Sequence, residues 1–136
     1  MSPMFNLDMT RGALLAIARP ELTIYQNEKK HIGYEIRIRV NVRADSRQFL
    51  EEINRVLLEN NIRSSVKYSE GKHRPKPILW VSGIRNVISV CNLIDNHHSS
   101  KTNWGQFYEA ANIIYEGRHN TQEGLDRILQ LKGELI

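Results

Sequence analysis

The longest unbroken alternation of apolar and polar residues in the chain is YEIRIRVNVR, residues 34–43. Tyr34, Ile36, Ile38, Val40 and Val42 interleave with Glu35, Arg37, Arg39, Asn41 and Arg43. A period of two over this length predicts a strand with one face in the core and one in water. Elsewhere the spacing is helical. Phe49, Ile53, Val56 and Leu57 predict an amphipathic helix over residues 46–60, capped by Asp45 or Ser46, and Val87, Ile88, Cys91 and Ile94 predict another over 84–96. The Ala- and Leu-rich segment 7–19 reads as a helix with Asp8 or Thr10 at its start and Pro20 as its stop. Helices are also predicted over 103–116, capped by Thr102 or Asn103 and stopped by Gly117, and over 121–133. Further strands are predicted at 22–27, 62–69 and 77–82, the last two joined through EGKHRPK. Within 62–69, Ile62, Val66 and Tyr68 are the inward candidates. Pro75 and Pro77 confine that part to a sheet edge or strand start.

The order is helix, two strands, helix, two strands, then helices, which argues for an α+β fold with an antiparallel four-stranded sheet. The 136 residues suit a single domain spanning 1–136. A net charge of +4 at pH 7 leans toward a polyanionic partner. The charges that matter are on the polar face of 34–43, where three arginines face one acid. Cys91 is the sole cysteine, which excludes an intramolecular disulfide and a cysteine zinc site and fits a reducing, intracellular setting. No apolar run nears the roughly 20 residues that span a bilayer, so no membrane partner is expected. The N-terminus lacks the pattern of a secretory signal. No glycine-rich phosphate loop points to a nucleotide cofactor. His97 and His98 are adjacent and diverge, Cys91 and Asp95 read as a core and a surface residue, and Trp80 and Trp104 read as core aromatics.

Residues 14–22, LLAIARPEL, lie without a gap on a nine-residue motif, and with the element order around them the chain resembles a single-motif LAGLIDADG homing endonuclease from about Thr10 to Ile114. The resemblance implies an αββαββα(α) fold. Its motif helix packs against a twin, and its sheet lies in the DNA major groove. On this register Glu21 falls at the family's catalytic, metal-binding acid, where a carboxylate at a helix tip holds Mg²⁺. Ala16 falls at the small position of the helix contact, and Lys101 resembles the basic residue before the late helix that enters the active site. The sequence departs from the motif at Arg19, Pro20 and Leu22, which replace an acid, a small residue and a glycine.

Two functions lead the expectations, ahead of a different α+β domain that binds RNA or serves as a protein-interaction module. One is a homodimeric, Mg²⁺-dependent endonuclease, with Glu21 and Lys101 catalytic and Gly12, Ala13 and Ala16 at the dimer contact. It would read double-stranded DNA through Arg37, Arg39, Asn41, Arg43, Arg63, Lys67, Lys72 and Arg74. The other is a cleavage-deficient DNA-binding protein on the same scaffold, a regulator or accessory factor, which the departures favour.

Overall fold

The computed structural model describes residues 5–29, 33–94 and 102–134. Helix α1 (Leu7–Ile17) runs directly into strand β1 (Ala18–Gln26), which pairs antiparallel with β2 (Tyr34–Arg43). Helix α2 (Arg47–Glu59) leads to β3 (Ser65–Lys67) and β4 (Ile78–Ser82). The chain closes with α3 (Ile84–Ile94), α4 (Asn103–Tyr115), a 3-10 turn (Arg118–Asn120) and α5 (Gln122–Glu134). The four strands lie in the order β1-β2-β4-β3, and every described pairing is antiparallel.

Alternation along the strands sorts the side chains. Leu22, Ile38, Val40, Val42, Leu79 and Val81 point to one side, where Leu50, Ile53 and Leu57 of α2, Val87, Val90, Cys91 and Ile94 of α3, Phe107 of α4 and Ile128 of α5 complete the core. The helices therefore cover one face of the sheet and leave the other open. Leu14, fully buried, fixes α1 to this core. Burial pushes the Cys91 thiol up to about 12, so it is an inert core residue.

Several boundaries differ from the sequence expectation. Helix α1 ends at Ile17 rather than 19, and β1 starts at Ala18 rather than 22, because its ladder to β2 extends back to the pair Ala18–Val42. Pro20 is thus a strand residue, tolerated because β1 is an edge strand where a missing N–H costs little. The cap of α1 is Asn6, whose side chain accepts from the Met9 N–H at 2.8 Å, while Thr10 is buried inside the helix. Strand 62–69 shrinks to Ser65–Lys67. Ile62 closes α2 instead: Asn61 takes a left-handed turn (φ 61°) and the Ile62 N–H returns to the Leu57 carbonyl at 2.8 Å. Tyr68, expected inside, is 51% exposed and lies under the Arg47 guanidinium, 3.6 Å from its ring centre. The remaining helix ends fall within two residues of expectation, with Ser46 and Thr102 as the caps of α2 and α4. Asp95, His97 and His98 lie outside the described residues.

Candidate nucleic-acid interface

The open face of the sheet follows from pairing alone. Directly opposed pairs share a face. Arg19 stands across from Asn41, Glu21 from Arg39, Thr23 from Arg37, and Tyr25 from Glu35. On the other side of β2, Arg39 opposes Ser82 and Asn41 opposes Trp80, which in turn opposes Ser65 of β3. Lys67 lies two residues beyond Ser65 on that face. The face therefore runs Arg19, Glu21, Thr23, Tyr25 on the outer strand, then Glu35, Arg37, Arg39, Asn41, Arg43, then Trp80 and Ser82, then Ser65 and Lys67.

Its centre is a layered contact. Arg39 donates from Nε and Nη2 to Oε1 of Glu21 at 3.2 and 2.6 Å, and its guanidinium carbon lies 3.9 Å from the centre of the Trp80 ring. Both partners of the ion pair are about one-third exposed or less, Arg39 at 27% and Glu21 at 30%. Trp80, expected in the core, is instead the aromatic floor of this contact. Its neighbours Leu79 and Val81 point inward, and period two turns Trp80 outward.

The other expected DNA contacts divide by what already holds them. Arg37 is exposed, with its guanidinium 5.6 Å from the Tyr25 ring centre. Arg63, Lys67 and Lys72 are also exposed. Arg43 makes a two-bond contact with Glu70, at 2.9 and 3.0 Å. Arg74 donates to the same carboxylate at 2.6 Å and to the Pro77 carbonyl at 3.1 Å, so it braces the loop before β4. Arg43 beside Glu70, with Arg74 behind it, holds that carboxyl below its usual range. Asn41 is on the expected face but only 4% exposed, and its Oδ1 is buried without a partner. It is hemmed between β1 and the Trp80 side, so it is not the free base-reading amide that alternation suggested.

The structure places Glu21 away from the helix tip that the resemblance implies. Glu21 was placed beside a helix end; it stands four residues past Ile17, in the body of β1, and its carboxylate is engaged by Arg39. The helix end itself is formed by Ile17, Ala18 and Arg19, which with Ala16 and Arg43 line a groove of about 390 Å³. Lys101 lies outside the described residues. Among the described residues, no group of three or more His, Cys, Asp or Glu is placed to hold a metal ion.

The expected dimer residues separate as well. Gly12 and Ala16 are exposed, next to Met9, Leu15 and Ile17, which are 42%, 42% and 37% exposed. Ala13 packs against the core and does not belong to that surface. A Cβ added at Gly12 would meet nothing within 4 Å, so nothing within the chain requires glycine there.

No family model matches the sequence, and no curated protein matches it. Solved structures do. A crystal structure of a homing endonuclease, I-TnaI, superposes with a TM-score of 0.80 at 17% identity, over 98% of this chain and 89% of that one. The archaeal intron-encoded homing endonuclease I-Vdi141I, complexed with DNA, gives 0.78 at 18% identity over 94% of this chain and 80% of its own. The LAGLIDADG homing endonuclease I-LtrWI, bound to target DNA, gives 0.77 at 19% identity, covering all of this chain but 47% of its own. The chain has the fold of the LAGLIDADG homing endonucleases.

Proposed function

We propose that this chain binds duplex DNA along the open face of its sheet, working as a pair of copies joined through α1, and that it does not cleave DNA through Glu21. The observation that carries the reading is the composition of that face. One continuous strand-spanning surface holds exposed Arg19, Arg37 and Lys67, with Arg63 and Lys72 on the flanking loops, while the opposite face is buried under helices. A two-stranded ribbon fits the major groove, and arginine recognises guanine there through paired hydrogen bonds. Cationic flanks supply the phosphate contacts that orient such a complex. Structural neighbours of the same fold are complexed with DNA, which supports the same use of the sheet here.

Pairing through α1 is supported by its exposed Met9, Leu15 and Ile17 around Gly12 and Ala16. Small residues let two helix backbones approach closely. The chain spans 47% of I-LtrWI, a length that leaves room there for two such units, and a second copy would supply the other here.

Mg²⁺-dependent cleavage is the second reading, favoured by neighbours that are themselves endonucleases, one of them bound to uncleaved DNA in the presence of calcium ions. Among the described residues the donor set does not fit that ion. A hard cation needs several oxygen ligands, whereas the Glu21 carboxylate is held by a guanidinium and the helix end offers Ile17, Ala18 and Arg19. The test is a plasmid assay beside a binding assay. Retarded duplex with intact supercoiled plasmid in Mg²⁺ or Mn²⁺ is the expected result. Metal-dependent nicking that disappears in Glu21→Gln would restore the catalytic reading.

A further inference from the structure

We infer that Glu21 is a positioning residue, and that Arg39, held by Glu21 and Trp80, is the guanine-reading side chain of each copy. This rests on the duplex-binding reading above and goes further by assigning one base preference to one residue. The argument starts from donor counting. A guanidinium has five N–H donors in a rigid plane. Arg39 directs its Nε–H and one Nη2–H to Oε1 of Glu21. That leaves both Nη1 protons and the second Nη2 proton, which form the forked end of the group. Among the described residues no other hydrogen bond uses that fork. Its spacing is the one that meets O6 and N7 of guanine in the major groove.

Two further contacts remove the freedom that such a reader usually loses on binding. Trp80 puts its ring centre 3.9 Å from the Arg39 guanidinium carbon, which restrains the plane of the group. Glu21, directly opposite on β1, fixes the rotation within that plane. The ordering cost is met before DNA arrives, which is how a preorganised contact gains affinity. The carboxylate also offsets the positive charge of Arg39, so the group is a poor general phosphate binder and retains its directional donors. Arg37, two residues away on the same face, has an aromatic neighbour and, among the described residues, no ion pair to a carboxylate. It suits the opposite role of a sequence-blind phosphate contact.

The test is selection from a randomised duplex library in EDTA, with binding to single duplexes measured alongside. The native protein is expected to enrich one guanine per half-site. Arg39→Lys should reduce that enrichment about tenfold or more, since an ammonium cannot reproduce the fork. Glu21→Ala should also lower it, while raising affinity for unselected duplexes because a negative charge leaves the face. Glu21→Gln keeps an acceptor at the same reach and should recover much of the preference, which a metal-binding acid would not do. Arg37→Ala should weaken all duplexes alike. Thermal unfolding of each variant separates loss of preference from loss of fold. Full guanine enrichment in both Glu21→Ala and Arg39→Lys would overturn the inference while leaving duplex binding intact. Absence of any duplex binding by the native protein would overturn the functional reading and this inference with it.

Discussion

Glu70 shows how one carboxylate can organise a loop that composition alone makes look like a cationic spray. The stretch GKHRPK is strongly basic, and the sequence reading assigns its Lys72 and Arg74 to DNA. In the structure Glu70, whose side chain is 16% exposed, gathers Arg43 from β2 and Arg74 from the turn. Its N–H also closes the turn by donating to the Arg74 carbonyl at 3.0 Å. Because hydrogen bonding to Arg43 and Arg74 holds its folded pKa below the ordinary 4.5, its contribution is present above that value. That contribution is lost as pH falls through the lowered folded value. Amide hydrogen exchange over residues 68–77 is therefore expected to accelerate on acidification below about pH 4.5, relative to the core strands. In Glu70→Gln the same amides should be poorly protected already at neutral pH, and that protection should respond little to acid. At this level the sequence was legible only in part. Alternation identifies the outward side chains of β2 correctly. It says nothing of which arginine meets which acid, because Glu21 and Glu70 lie 18 and 27 positions from the residues they pair with. Trp80 was misread for a related reason. Its size argues for the core, but its place between inward Leu79 and Val81 is the signal that turns it outward.

Among the elements, the helices divide according to what their glycines meet. Gly12 sits in the middle of α1 with open space around it, and Gly124 sits in the first turn of α5 with the Arg118 carbonyl oxygen in the place a Cβ would take. The same substitution should therefore act in opposite directions. Gly12→Ala adds helix propensity at an exposed interior position and should stabilise the isolated chain by up to about 1 kcal/mol. Gly124→Ala should lower the melting temperature despite the same propensity gain, because backbone, not a flexible side chain, occupies the space. Thermal melts of the two variants at low concentration check both. Ala16→Phe carries the corresponding expectation for the paired form. It should leave the fold intact and weaken self-association by about 1 to 3 kcal/mol through overpacking, read by sedimentation across a concentration series. Leu14→Ala is the control on the buried side of the same helix, expected to cost about 2 to 5 kcal/mol of stability. The helix boundary that mattered most was the hardest to read. Pro20 is a strong stop signal, yet the ladder from Ala18 to Val42 ends the helix sooner, and a pairing with a strand more than twenty residues away leaves no local mark.

For the whole molecule, order of elements was the most legible property and chemistry the least. Alternating and helical periods are local, so β2 was read to the residue and most helices to within two. The use of the site depends on which side chains converge, and that is set by sheet order β1-β2-β4-β3, where sequence neighbours are split. The same convergence yields a prediction about binding as a whole. Exposed cations that touch phosphate release counterions, so affinity for any duplex should fall linearly in log–log terms with salt. Removing one such contact should lower the slope by about one and weaken all sequences equally. Arg37→Ala is expected to behave this way, since no ion pair among the described residues holds it. Removing Arg39 together with its partner in Glu21→Ala/Arg39→Ala should not: the two charges already offset each other at 2.6 Å, so the slope should change little while sequence preference flattens. The check is one titration series, with native and both variants bound to a preferred and a scrambled duplex at stepped potassium chloride concentrations. Parallel slopes for native and Glu21→Ala/Arg39→Ala, with a shallower one for Arg37→Ala, are the expected pattern. Equal slope losses in the two variants would mean that the Glu21 pair opens on DNA and that both arginines serve as phosphate contacts.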